Sequence, residues 1–154
     1  MISYQERDPS LIIQQAIYTR LTTSPALDSA VYDGIPERHR GIFVYIGEVD
    51  LEDWSTKTDY GKRVHCHLHI VQPEEEQGAQ SVRTFDPVNT VASQVLAALT
   101  DAANPLALDP DTGFVLLDVS ASDTTKSQRV QVAEGIGVAR RAVITVVCSV
   151  QQHS

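Results

Sequence analysis

The sequence predicts an α+β fold: a mainly antiparallel four-stranded sheet with two principal helices packed on it. Three observations carry this. The strands come in consecutive pairs, each pair follows a helix, and no crossover segment separates the members of a pair. Parallel pairing would need such a crossover, so the order helix, strand, strand, helix, strand, strand favours antiparallel hairpins with both helices against the sheet.

The first helix starts at Asp8-Pro9, an N-cap followed by proline at the first helical position, and Ile13, Ala16, Ile17 and Leu21 then recur at helical spacing. Thr22-Thr23-Ser24-Pro25 ends it. From Ala26 to Arg40, Gly34, Pro36 and several charges read as a short helical turn and then a loop. Ile42 to about Val49, rich in β-branched and aromatic residues, is the first strand, and the polar run Asp50 to Lys62 follows it.

The second strand takes Val64 to Val71, before Pro73 and Glu74-Glu75-Glu76, which read as a solvated loop. Asp86-Pro87 repeats the cap-and-proline start. Val88, Val91, Ala92, Val95, Leu96 and Leu99 follow at offsets of three and four, one apolar stripe of a helix that Asn104-Pro105 closes. Two more strands are expected at about Phe114 to Ser120 and Ala142 to Val150, joined by the long polar connection Asp123 to Glu134. A connection of that length is either mobile or functional.

A chain of 154 residues with 42% hydrophobic content builds one core, so a single domain over 1–154 is expected. A formal net charge of −8 argues against a general affinity for nucleic acid, which depends on Lys and Arg displacing counterions from phosphates. The residues after Met1 are polar, so no secretory signal is expected, and no stretch reaches the length of a membrane span. With Cys66 and Cys148 alone, two buried free thiols in a reducing cytoplasm are expected rather than a disulfide framework.

The stretch Arg63-Val64-His65-Cys66-His67-Leu68-His69 concentrates zinc-binding residue types. Side chains alternate along a strand, so Val64, Cys66, Leu68 and Ile70 share one face and His65, His67 and His69 the other. The apolar set accounts for a core, and the histidines then form the polar side. Two histidines two apart can point at one metal, but zinc needs three or four ligands, and same-face neighbours on a strand stand nearly 7 Å apart. Cys66 faces the other way, so no metal site is assigned; a small zinc-binding protein or enzyme using His65, His67 and His69 is the alternative from another functional class.

Gly135-Ile136-Gly137-Val138-Ala139 lacks the strand before it and the helix after it that a dinucleotide loop requires, so it reads as a loop or strand start. Nucleophile-elbow and phosphate-loop motifs are absent from the sequence. Lys62-Arg63 and Arg140-Arg141 are too short for a nucleic-acid patch unless a ring of copies concentrates them.

Asp53-Trp54-Ser55-Thr56-Lys57-Thr58, followed by Gly61 and the histidine strand, is the most specific stretch. Together with YTRLTTSPAL, VYDGIPE and IFVYIGE it resembles the tail terminator, or tail-completion, family of long-tailed bacteriophages (siphoviruses) and gene transfer agents, over roughly Leu11 to Val150. The resemblance implies a structural virion protein without catalysis, cofactor or metal. Its copies would form a ring, typically a hexamer, that caps the head-proximal end of the tail tube, ends tube growth and offers a surface for head attachment. The implied partners are further copies of itself, the tail tube protein and the head-completion protein, with DNA passing through the bore without specific binding and no membrane involved. The implied location is the virion tail, assembled in the host bacterial cytoplasm. Within the same class the alternative is another head-to-tail connector, a stopper or adaptor.

Asp53, Trp54, Ser55, Thr56, Lys57 and Thr58 form the candidate interface, with Trp54 as its anchor, because aromatic side chains bury much area in contacts between proteins. The competing expectation is that Trp54 folds back onto its own core. An acidic bore is a second expectation, since it would repel phosphates and avoid trapping the genome.

Overall fold

The computed structural model describes residues 7–25, 27, 29–34, 36, 41–55, 60–73, 87–101, 103–131 and 138–152; of residues 110, 123–131 and 138 it describes the backbone. Helix α1 spans Ser10–Thr23. Asp8 Oδ1 accepts a hydrogen bond from the Ser10 amide at 2.8 Å, and the Pro9 carbonyl accepts from the Ile13 amide at 3.0 Å, so the helix starts one residue later than expected, with Pro9 rather than Asp8 as its N-cap. Ile13, Ile17 and Leu21 form its buried stripe. Ser24 takes an extended conformation before Pro25 and stops it.

Strand β1, Ala30–Tyr32, falls where a short helical turn and loop were expected. It runs parallel to β2, Phe43–Asp53, in the register Ala30↔Phe43 to Tyr32↔Tyr45. Strand β3 is Gly61–Pro73, antiparallel to β2. Helix α2 is Pro87–Leu99, with Val88, Val91, Ala92, Val95, Ala98 and Leu99 buried. The expected cap Asp86 lies outside the described residues, as do Glu74-Glu75-Glu76 and Gly135 to Gly137.

After a 3-10 turn at Pro110–Thr112 come β4, Phe114–Gln131, and β5, Val138–Gln152. The sheet is therefore five-stranded and mixed, in the order β1-β2-β3-β5-β4, rather than four-stranded and antiparallel. The parallel β1 edge makes the difference: three residues, only the central one buried, are too short to show a period. The connection expected from Asp123 onward is a second correction. Residues 123–131 continue β4, pairing with β5 down to Gln131↔Val138, and only 132–137 remain between the strands.

Both helices pack on one face. α1 covers β1 and β2, and α2 covers β3, β4 and β5. The main core joins their stripes to Val44 and Ile46 of β2, Val64, Cys66, Leu68 and Ile70 of β3, and Ala142, Ile144, Val146, Cys148 and Val150 of β5. The apolar face expected for the histidine strand is thus the core face. On the opposite face Phe43, Tyr45, Val71 and Ala139 form a smaller cluster, with Tyr32 edge-on to Phe43. At the start of the chain Arg7 fixes the end of the sheet: its amide donates to Gln152 Oε1 at 2.8 Å and its guanidinium lies 5.0 Å from the centre of the Phe114 ring.

Candidate functional site

The face of the sheet away from the helices carries the three histidines, and β2 supplies each with a carboxylate. Val44 and Ile46 point into the core, so strict alternation would send Glu48, Asp50 and Glu52 there as well. A bulge prevents it: the register moves from Ile46↔Leu68 to Val49↔Cys66, which leaves Gly47 and Glu48 opposite His67 alone. One extra residue exchanges the faces of everything after it. Val49 joins the rim of the core, and the three carboxylates turn to the histidine face.

The contacts run diagonally across the strand pair, within reach of long side chains. His65 Nε2 lies 3.3 Å from Glu52 Oε2, His67 Nε2 lies 3.3 Å from Asp50 Oδ2, and His69 Nε2 lies 3.1 Å from Glu48 Oε2. An ionised carboxylate only accepts, so each Nε2 carries the hydrogen. His67 Nδ1 is 3.1 Å from Thr145 Oγ1 on β5, which occupies both nitrogens of that ring. Arg63 adds a contact to Glu52 at 3.2 Å.

His69 differs from the other two. Its side chain is only 7% exposed, against 31% for His65 and 25% for His67. Its ring stacks on Tyr45, 4.6 Å between centroids and 4° from parallel. Burial holds its pKa below the ordinary 6.5, with Arg141 and His67 adding to the depression and Glu48 opposing it. Nδ1 is buried without a hydrogen-bond partner among the described residues. The neutral Nε2–H form leaves only an acceptor unpaired there, whereas protonation would bury an unpaired N–H. Glu48 is held below its ordinary value by its own backbone amide first and by His69 second.

Three histidines with three separate carboxylates make a ladder of pairs, not a set of ligands converging on one point. Among the described residues no group of three His, Cys, Asp or Glu side chains is arranged to hold a metal ion. Cys66 and Cys148 are buried free thiols on the core face, each pushed up to about 12 by burial. They are poor nucleophiles in that state.

Of the candidate interface, Asp53, Trp54 and Ser55 are described, and Thr56, Lys57 and Thr58 lie outside the described residues. The three residues form a pinned corner at the end of β2. The Trp54 amide donates to the Gly61 carbonyl at 2.9 Å. Ser55 Oγ accepts from the Gly61 amide at 3.1 Å, and the Ser55 amide donates to Asp53 Oδ1 at 2.8 Å. Hydrogen bonds to Asp53 from Ser55, from its side chain first and its amide second, ahead of Lys62 at 3.4 Å, lower the Asp53 pKa.

The indole of Trp54 is partly buried and lies flat over Gly61: a Cβ at position 61 would come within 2.3 Å of the ring. Trp54 Nε1 is buried without a partner among the described residues. The ring is thus laid back over Gly61 of its own sheet.

The carboxylate row was absent from the sequence reading, although Glu48-Val49-Asp50-Leu51-Glu52 alternates strictly and Gly47 inside a strand is a bulge signal. Those two signs together would have extended β2 and placed the acids beside the histidines.

Comparison with known proteins adds the following. Among curated proteins there is no match. A chain in the virion of a native gene transfer agent particle shares the fold with a TM-score of 0.67 at 20% identity, over 95% of this chain and 99% of that one. The family model for tail completion protein gp17 matches residues 15–143. A match over that much of the chain settles its kinship: the protein belongs to the tail completion protein gp17 family, a family of structural phage tail proteins.

Proposed function

We propose that the protein caps the head-proximal end of a phage-type tail tube as a ring of copies, six by family resemblance, that ends tube growth and presents a surface for head attachment. The observation that carries this reading is the family match across residues 15–143. The likeness to a chain of a gene transfer agent virion supports it. So does the form of the sheet. β1 covers only residues 43–45 of β2, so the outer side of β2 from Ile46 to Asp53 is unpaired among the described residues, and β4 forms the opposite edge. A ring of identical subunits needs two different surfaces that meet and close, and two distinct open edges on one sheet supply them.

On this reading the role is structural, with no catalysis and no cofactor. The partners are the tail tube protein, the head-completion protein and further copies of the chain, and DNA crosses the bore unbound. The location is the tail of the virion, with assembly in the bacterial cytoplasm. The stretch Asp53 to Thr58 is the proposed contact region, and Trp54 serves it by holding the shape of the corner Asp53 to Ser55. Native mass spectrometry of the protein bound to isolated tail-tube ends tests the stoichiometry. Six copies per end support the ring; single copies scattered along tube walls contradict it.

A further inference from the structure

We infer that the face of the sheet away from the helices turns to the axis of the ring and lines the channel that duplex DNA crosses, with α1 and α2 on the outer wall. This rests on the ring reading and assigns its inside.

Curvature sets the direction. Five strands about 4.8 Å apart make a sheet ~24 Å wide, so six copies set edge to edge with upright strands close a wall of radius ~23 Å. Both helices of each copy lie on the same face. A helix is about 10 Å across and rests about 10 Å from the strands it covers, so two per copy need a circle of ~120 Å around the ring. Inside the wall that circle measures only ~80 Å, and outside it ~205 Å. Closing the ring with the helices inward would crush them together; closing it with the helices outward gives them room. With side chains reaching about 5 Å from the strands, the other face then bounds a channel ~36 Å across, about three times the width of the major groove of B-DNA.

The chemistry of the two faces agrees with that direction. Among the described residues the large hydrophobic side chains left exposed are Leu11, Tyr18, Leu51 and Leu117, and they lie off the histidine face. Leu11 and Tyr18 are on α1. Leu51 stands two residues after Val49, which joins the core rim on the helix side, and Leu117 lines a cavity with Leu99 and Leu106. The histidine face instead carries Glu48, Asp50 and Glu52, with side chains 71%, 72% and 54% exposed. The bulge at Gly47 and Glu48 turns all three to this face, and each is held by a histidine. On β4, Val119 and Ala121 pack on the core, so Asp118, Ser120 and Ser122 alternate to the same side as the carboxylates.

The cations of this face are tied down. Arg63 lies 3.2 Å from Glu52, and Arg141 is hydrogen-bonded to the Tyr45 hydroxyl. Counted with neutral histidines, four carboxylates outweigh two cations among the described residues of the face. Affinity for DNA comes from Lys and Arg displacing counterions from phosphates. A lining of this sign repels phosphates that approach within a Debye length, about 8 Å at physiological salt, and lets the duplex slide without being caught.

Two measurements test the assignment. Cryo-electron microscopy of tail-tube ends bearing the ring should show the helices at greater radius than the sheet. Helices bordering the channel would overturn the inference and leave the ring reading in place, whereas tube ends without any ring would overturn both. The second measurement compares two variants that each add two cations. Val147→Lys/Ser149→Lys places them on the histidine face of the interior strand β5, so neither sheet edge changes. Gln15→Lys/Thr19→Lys places them on the exposed side of α1. Thermal melts and counts of headed tails establish that both fold and assemble. Per complete particle, the first should lower DNA delivery at least tenfold and the second should leave it within about twofold of wild type. Equal delivery by the two, or a greater loss from the α1 variant, would overturn the assignment; the microscopy, which needs no variant, decides alone where the β5 variant does not fold.

Discussion

His69 and Tyr45 stack face to face across the β2–β3 pair, with 4.6 Å between ring centroids, and the space for that stack exists because the neighbouring residue on β2 is Gly47. A Cβ on Gly47 would lie 2.5 Å from His69 Nε2 and 3.3 Å from the His67 carbonyl oxygen. One glycine therefore permits both the bulge and the close approach of the ring.

Replacing Gly47 with alanine should displace the His69 ring, breaking its stack and its contact with Glu48. A loss of about 1–3 kcal/mol is expected, as for other insertions into packed sites. Gly34→Ala is the control: its Cβ would meet nothing within 4 Å among the described residues, and a change within about 0.5 kcal/mol is expected. Urea unfolding midpoints of the two variants check the contrast.

The pH dependence follows from His69 and Glu48. The folded-state pKa of His69 lies below its ordinary 6.5, so as pH falls below that value the unfolded chain takes up the proton first and stability drops, down to the depressed folded value. Glu48, lowered from 4.5, continues the same trend at more acid pH. Stability should thus decline from neutral pH toward acid. His69→Phe, which keeps an aromatic ring against Tyr45, should flatten the portion just below 6.5. A slope that is the same in the variant would show that another group carries it.

Trp54 is the chain's one tryptophan, so its fluorescence reports on the corner. Gly61→Ala places a methyl group where the indole now lies and should red-shift the emission while costing about 1–3 kcal/mol. Trp54→Ala removes the cover from Gly61 and is expected to weaken assembly through the loosened corner. A Trp54→Ala protein that folds normally and still completes tails would remove Trp54 from the interface proposal.

Both cysteines should resist alkylation. Burial raises each thiol to about 12, which leaves a negligible thiolate fraction at pH 8. Iodoacetamide should label Cys66 and Cys148 at the rate of global unfolding, and labelling should accelerate sharply in denaturant. Fast labelling in native buffer would mean that the β3–β5 core opens readily.

The parts of the fold legible in the sequence are those whose pattern is long and strict. The α2 stripe from Val88 to Leu99 and the alternation of Val64, Cys66, Leu68 and Ile70 against the three histidines both locate the core as the structure has it. The parts that were not legible are local exceptions to a period. β1 is three residues long, and its parallel pairing depends wholly on β2. The polar composition of residues 123–131 conceals a strand that gains its ladder from β5 alone. The carboxylate row was hidden because a single bulge reverses which residues face the core, and a period read across Gly47 gives the wrong face for Glu48, Asp50 and Glu52.

The central claim, that this chain ends the tail tube, is tested most directly by electron microscopy of tubes made with and without its gene. The account predicts tubes of uniform length, each bearing a ring at one end, when the protein is present. Without it, tubes should be overlong or of mixed length and carry no heads. Uniform, head-bearing tails in its absence would contradict the claim.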